Sequence, residues 1–314
     1  MDHPRHGFSQ VAVILVGLMA AGLPPSALAV ATLPPVKPTM ACADLKGVDF
    51  SRSGSIATRI DSAGETASGT RQVCAVKGYV APQVNFEVRL PLDGWTQRYL
   101  QLGYGGYCGG MNLESPSALR QAAGCTPLES GDMVVASSDL GHRRSASFFP
   151  DGVWAIGNPD AIVDFAYGTN HKVALAVKTI IKTFYGQAPR FSYFNGCSDG
   201  ARQGLQEAQR YPEDFDGVLA GSPTIDVTAT NTFWHAWNVR VNTQPDGMPI
   251  LTADKIPALA EAVLQACAGP EGLISDPRSC SFDVNSLLCP AGRDDASCLT
   301  QEQADVAMKP AFAR

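Results

Sequence analysis

Arg190-Phe191-Ser192-Tyr193-Phe194-Asn195-Gly196-Cys197-Ser198-Asp199-Gly200-Ala201-Arg202-Gln203-Gly204 is an aromatic-rich run that breaks at Gly-x-Ser-x-Gly and continues as Leu205, Gln206, Glu207 and Ala208. Such text spells strand, sharp turn and helix, the arrangement of a nucleophile elbow. A seryl side chain raised at a strand-to-helix junction strains the backbone and crowds its neighbours, so the flanking Gly196 and Gly200 must lack Cβ. The helix opens at the serine, and its free N–H groups and positive dipole end therefore face any oxyanion formed there. Ser198 is the candidate nucleophile, and the backbone N–H of Asp199 is the first candidate oxyanion donor. A bare Gly-x-Ser-x-Gly is also an ordinary glycine-flanked turn; here the strand before it, the helix after it and a glycine-rich loop upstream all favour catalysis.

That loop is Gly103-Tyr104-Gly105-Gly106-Tyr107-Cys108-Gly109-Gly110. It follows β-rich text from Cys74 to Leu102, where Val76 to Val80, Val84 to Leu90 and Tyr99-Leu100 predict three strands separated by turns at Ala81-Pro82 and Leu92-Asp93-Gly94. Neither Gly-x-Gly-x-x-Gly nor a Gly-Lys-Ser/Thr ending is present, so a phosphate cradle is not indicated. Upstream of an elbow, such a loop supplies the second oxyanion N–H, here from Gly105 or Gly106. Met133 to Ser138 predicts a buried parallel strand leading to His142. His142 precedes the serine, whereas the usual order is Ser, acid, His, so it is expected to anchor a loop beneath the site. Asn158 to Tyr185 predicts one or two amphipathic helices, and Val218 to Pro223 another buried strand. Strand, helix, strand, elbow, helix, strand is an α/β alternation.

The ends of the chain differ in texture. Arg5 and His6 precede the apolar run Val11 to Ala21, too short for a membrane span, and Ala27-Leu28-Ala29 offers a small-x-small cleavage site. Residues 1–29 are therefore expected to be a signal peptide cut after Ala29, and 30–41, with Pro34, Pro35 and Pro38, a stiff leader outside the core. The expected divisions continue as 42–224, the N-terminal part of a catalytic domain, and 225–314, the start of a lid containing Phe233, Trp234, Trp237 and a helix from Thr252 to Ala266. The aromatic trio is expected in the lid core. The formal net charge is −6 and lysine and arginine are scattered, which argues against nucleic acid; no apolar segment past residue 30 approaches membrane-spanning length. Nine cysteines in an exported chain imply disulfides. Sequential neighbours pair as Cys42 with Cys74, Cys108 with Cys125, Cys267 with Cys280 and Cys289 with Cys298, leaving Cys197 unpaired beside the serine. Zinc is disfavoured because there is no Cys-x-x-Cys and no histidine near the C-terminal cysteines.

The sequence resembles the tannase and feruloyl esterase family over nearly all of the chain past the signal peptide. The resemblance is carried by Tyr99 to Gly103 with its glycine loop, by Ser138-Asp139-Leu140-Gly141-His142, by Tyr193-Phe194-Asn195-Gly196-Cys197-Ser198, and by Arg202 to Leu205 through Glu207 to Gly217. It implies an α/β-hydrolase fold, a mostly parallel sheet with helices on both faces and an inserted lid, and a serine esterase acting on esters of aromatic acids such as gallate or ferulate. It further implies that Cys197 is bridged to a cysteine directly after the catalytic histidine. Two departures stand out. Where family lids hold Ca²⁺ in an aspartate-rich loop, Cys267-Ala268-Gly269-Pro270-Glu271-Gly272-Leu273 keeps one carboxylate, so the site is expected to be lost or very weak and no cofactor is expected. The chain also stops in or just after the lid, before the segment where the family's acid, histidine and bridging cysteine lie.

Two functions are in view. The first is a secreted or periplasmic carboxylic ester hydrolase with a small-molecule aromatic ester as substrate, whose histidine and aspartate are not in this chain, so that the chain by itself is inactive. The alternative is a non-catalytic binding protein for plant aromatic compounds on the same fold. An unpaired thiol beside the serine in an exported chain weighs against the alternative. Neither the ester cleaved nor the oligomeric state is encoded in a recognisable motif.

Overall fold

Apolar runs and period-2 alternation set most of the strands, and seven form among the described residues: β1 (Thr58–Ser68), β2 (Arg71–Val80), β3 (Val84–Pro91), β4 (Arg98–Leu102), β5 (Val134–Ser138), β6 (Phe191–Cys197) and β7 (Gly217–Gly221). The computed structural model describes residues 33–52, 56–68, 71–111, 113, 131–144 and 152–311. The expected signal peptide and Cys125 lie outside the described residues. The strands make one sheet in the order β1-β2-β3-β5-β4-β6-β7. Pairing is antiparallel from β1 to β5 and parallel across β5, β4, β6 and β7, so only β1 and β3 run against the rest. β4 lies inside the sheet with every residue buried, and the glycine loop leaves its C-terminal end beside that of β6.

β1 is the strand that the sequence does not announce. Its text, TRIDSAGETAS, is polar and glycine-containing, and burial is confined to Thr58 and Ile60. It exists as an edge, paired with β2 from Thr58 opposite Val80 to Ser68 opposite Arg71.

Asn158 to Tyr185 resolves into α1 (Pro159–Val163), a π-helical turn (Asp164–Gly168) and α2 (Thr169–Tyr185). Asn158 caps α1 by accepting from the Ala161 N–H at 3.1 Å, and Gly186 at φ 73° ends α2. Val173, Val177, Ile180, Ile181 and Phe184 of α2 join Val76, Phe86, Val88 and Val134 of the sheet in the main core. The elbow helix α3 (Asp199–Arg210) packs on β6 and β7.

The proline-rich leader does not stand apart as expected. Val36 exchanges both backbone hydrogen bonds with Trp95 at 2.9 Å, and the Thr39 N–H donates to Phe184 O at 2.8 Å. Trp95 is fully buried and stacks on Tyr185, so the leader covers part of the core rather than acting as a linker.

After β7 the described residues add no strand to the sheet. They form α4 (Trp234–Val241), α5 (Ile256–Cys267) and α6 (Gln301–Ala311). Phe233 and Trp237 remain 67% and 37% exposed, so this aromatic pair is not the lid core that its composition suggests. Order in this region comes from the Cys267–Cys280 and Cys289–Cys298 bridges and from buried Lys255, which donates to the Asp294 carboxylate and to the carbonyls of Asp295 and Cys298. Cys42 and Cys74 are bridged as well. Cys108 carries a free, buried thiol among the described residues, and its expected partner Cys125 lies outside them. The Cys108 backbone is left-handed at φ 57° and its Sγ faces the carbonyls of Gly110 and Ser138, at 3.5 and 3.6 Å.

Candidate active site

β6 ends at Cys197, and Ser198 sits at φ 60°, ψ −121°, a backbone conformation that L-residues adopt only under constraint. α3 begins at the next residue. A Cβ on Gly196 would stand 2.2 Å from Gly200 O, and one on Gly200 would stand 2.9 Å from Gly103 C. The two glycines thus let three backbone segments stack: the end of β6, the start of α3 and the loop leaving β4. The Ser198 N–H donates to Gly221 O at 3.0 Å, and Ser198 O accepts from Ala201 N at 3.1 Å and Thr224 N at 3.4 Å, which binds the serine into the ends of β7 and α3.

The loop after β4 is fastened at its start by Gly103 N donating to Asn195 O at 2.8 Å. It turns at Gly106, φ 60°, with Cys108 N donating to Gly105 O at 3.3 Å. A Cβ on Gly105 would be 3.9 Å from Ser198 Cβ, so this loop reaches the serine. The N–H groups of Asp199, Gly105 and Gly106 have no acceptor among the described residues. A cavity of about 440 Å³ opens over Asp199 and Gly106, with Tyr107, Ser198, Thr224 and His235 also in its lining and Gly105 at its margin, next to Gly106. Ser198, Asp199 and Gly106 thus share one opening, and Gly105 adjoins it through its approach to Ser198.

The Asp199 side chain is directed elsewhere. Its carboxylate accepts from Arg202 Nε at 2.6 Å and Nη2 at 3.2 Å, and from Gln203 Nε2 at 2.8 Å. Arg202 also donates to the Phe165 and Ala166 carbonyls, at 3.1 and 2.9 Å, in the π-helical turn. Arg202 and Gln203 were not singled out as site residues from the sequence. Their spacing held a signal, since residues three and four beyond Asp199 fall on the same face of a helix.

The described histidines are held by other groups or, among the described residues, form no hydrogen bond to Ser198. His142 is buried, with Nε2 2.5 Å from Tyr107 O and Nδ1 3.3 Å from Leu140 O, and its ring stacks on Trp154 at 3.9 Å. Burial holds its pKa below the ordinary imidazole value. It braces the glycine loop from beneath. His171 Nδ1 lies 2.6 Å from Asp214 Oδ2 and its ring stacks on Tyr211, the residue that caps the C-terminal end of α3, opposite the end that carries Ser198. His235 lines the cavity, but no hydrogen bond joins it to Ser198. Cys197 is a half-buried free thiol next to the nucleophile position.

A calcium ion does not suit the Cys267–Leu273 turn. Glu271 is its single carboxylate, and the carbonyls of Leu273 and Gly269 already accept from Gly269 N and Gly272 N, each at 2.9 Å. A hard dication requires six to eight oxygen ligands, several of them charged.

A family model described as tannase and feruloyl esterase matches residues 68–310. An uncharacterized esterase of Xanthomonas campestris pv. campestris is 34% identical over 281 residues, covering 84% of this chain and 46% of that protein. A probable feruloyl esterase B-2 of Aspergillus flavus is 32% identical over 251 residues, covering 76% and 44%. The chain thus spans somewhat less than half the length of these curated relatives. The crystal structure of feruloyl esterase B from Aspergillus oryzae superposes with a TM-score of 0.70 at 24% identity, over 85% of this chain and 54% of that one, which establishes the same fold. With the match of the family model across most of its length, the chain belongs to the tannase and feruloyl esterase family.

Proposed function

We propose that this chain is the nucleophile-bearing part of an exported serine esterase that hydrolyses carboxylic esters of aromatic acids. The observation that carries the reading is Ser198 at φ 60° between β6 and α3, under a cavity into which free backbone N–H groups open. Ser198 Oγ attacks the ester carbonyl, and the bond to the alcohol breaks as the tetrahedral intermediate collapses to an acyl-serine, which water then hydrolyses. Through both steps the oxyanion rests on the Asp199 N–H and on an N–H of the Gly105-Gly106 loop. Ferulate- and gallate-type acyl groups are the proposed substrates, on the strength of the family and of the names its members bear.

Proton transfer needs a base within about 2.6 to 3.2 Å of the hydroxyl. His142 and His171 are held by other partners, and His235 has no carboxylate to orient it among the described residues. The histidine and acid are therefore assigned to sequence outside these 314 residues.

Acid release from methyl ferulate and methyl gallate tests the reading. The 314-residue chain should show only residual catalysis, roughly 10³ to 10⁴ over water. The complete gene product should turn over, and Ser198→Ala should abolish that turnover. Full activity of the complete Ser198→Ala protein would remove Ser198 from the mechanism. Ordinary enzyme rates from the 314 residues alone, abolished by Ser198→Ala, would make His142 or His235 the base. Saturable ferulate binding with no turnover in any form would favour a binding protein.

A further inference from the structure

Gln203 is 2% exposed and lies one helical turn beyond Asp199, with its amide wedged between α3 and the glycine loop. Nε2 donates to Tyr104 O at 2.9 Å and to Asp199 Oδ2 at 2.8 Å. Oε1 accepts from Tyr104 N at 3.3 Å and from Asn170 Nδ2 at 3.2 Å. This orientation of the amide is the chemically required one, because a carboxylate and a carbonyl accept only, so the nitrogen must face Asp199 and Tyr104 O. Asn170 is fixed in turn by Gln101 Nε2 on its Oδ1 at 3.0 Å, and Gln101 by the Tyr99 hydroxyl at 2.6 Å. An unbroken line of buried hydrogen bonds therefore runs from the middle of β4 to the edge of the reaction cavity.

The peptide plane gives these contacts their consequence. In a trans peptide the carbonyl of one residue and the N–H of the next point in opposite directions. Tyr104 O is held against the buried Gln203, so the Gly105 N–H is turned away from it, toward the exposed side of a loop so near the serine that a Cβ added at Gly105 would stand 3.9 Å from Ser198 Cβ. The second hydrogen of the same amide holds Asp199, whose main-chain N–H opens α3. By contrast, the plane carrying the Gly106 N–H is held only by the turn inside the exposed loop, through Gly105 O and Cys108 N.

Resting on the esterase reading above, we infer that Gln203 is the positioning residue of the oxyanion hole: one buried amide sets the spacing of its two donors, and the loop donor it aims is the Gly105 N–H. Gln203 touches neither substrate nor reacting atoms. It acts by keeping two N–H groups preorganised where charge develops, so they need no reorientation during the reaction. Arg202 secures the other side of Asp199, yet makes no hydrogen bond to the loop among the described residues and so does not couple the two donors.

The test compares Gln203→Leu and Gln203→Glu with wild type. Leucine removes all four hydrogen bonds at similar size; glutamate keeps an acceptor but cannot donate as a carboxylate and faces the Asp199 carboxylate. In the complete gene product, kcat on methyl ferulate should fall roughly 10- to 100-fold, the scale of a displaced oxyanion donor, with KM changed by less than about twofold. Affinity for phenylboronic acid, whose tetrahedral adduct on a serine hydroxyl carries a negative oxygen, should fall by a similar factor. On the 314-residue chain, hydrogen exchange should accelerate at the Tyr104 amide and along 103–107 while β6 amides keep their protection. The inference is overturned if a folded variant keeps kcat within about threefold, if the loss is in KM alone, or if exchange in the loop is unaltered. Ser198→Ala, assayed beside them, separates the two levels. Turnover that survives this substitution refutes the esterase reading, whereas turnover lost in Ser198→Ala but kept in both Gln203 variants refutes only the role of Gln203.

Discussion

At the scale of single residues, the least comfortable group in the fold is Glu207. It is 1% exposed, and its Oε2 has no hydrogen-bond partner among the described residues. Burial, reinforced by the nearby Asp214 carboxylate, pushes its pKa up to about 8, while the His171 N–H and Lys178 pull the other way. Tyr99 and Tyr211 complete its surroundings. The native state holds a proton on this carboxyl that the unfolded chain gives up near the ordinary glutamate value. The associated stability is therefore fully present below about pH 4.5 and is lost as pH rises through 8, with a slope of up to about 1.4 kcal/mol per pH unit. Glu207→Gln should accordingly match wild type near pH 5 and be distinctly more stable at pH 8.5 in urea unfolding. An equal difference at the two pH values would show that Glu207 does not titrate in this window. His142 contributes with the opposite slope, since a buried neutral imidazole loses stability as pH falls below its ordinary value.

At the scale of elements, the strand-turn-helix unit is held by backbone against backbone, and that makes it intolerant of volume. The Cβ of Gly196→Ala would meet Gly200 O at 2.2 Å, and no flexible side chain is present to give way. We expect this substitution to cost about 1 to 3 kcal/mol, read as a lowered urea midpoint, and to disturb Ser198 more than the rest of the sheet. An unchanged midpoint would mean that β6 and α3 can separate without penalty. The π-helical turn before α2 belongs to the same unit. Its Phe165 and Ala166 carbonyls take the Arg202 guanidinium, so the irregularity supplies acceptors that serve the start of α3.

At the scale of the whole molecule, the N-terminal segment is bound into the core it was expected only to precede. The Cys42–Cys74 bridge spans a sequence separation of 32 residues and ties the short helix at Cys42–Gly47 to β2. Replacing both cysteines by alanine should cost about 2 to 5 kcal/mol in thermal or chemical unfolding, the usual range for a native bridge in an exported domain. A loss below about 1 kcal/mol would show that the Val36 to Trp95 pairing and the packing around it suffice without the bridge.

Elements whose signal is local were legible from the residues alone: the elbow around Ser198, the strands at Val84 to Leu90 and Met133 to Ser138, the long helix before β6, and the family. Each depends on periodicity or on a turn that only certain residues can make, and neighbours along the chain suffice to show it. β1 was invisible because an edge strand needs little burial, and its polar text acquires order only from β2. The surroundings of Cys108 were not legible either, because the sequence does not say where a left-handed backbone aims its Sγ. Gln203 looked like one more polar residue on a helix. Only the tertiary structure decided that its amide meets the loop 99 residues earlier in the chain, because a buried hydrogen bond is specified by the approach of two backbones, and that approach is a property of the sheet rather than of either segment.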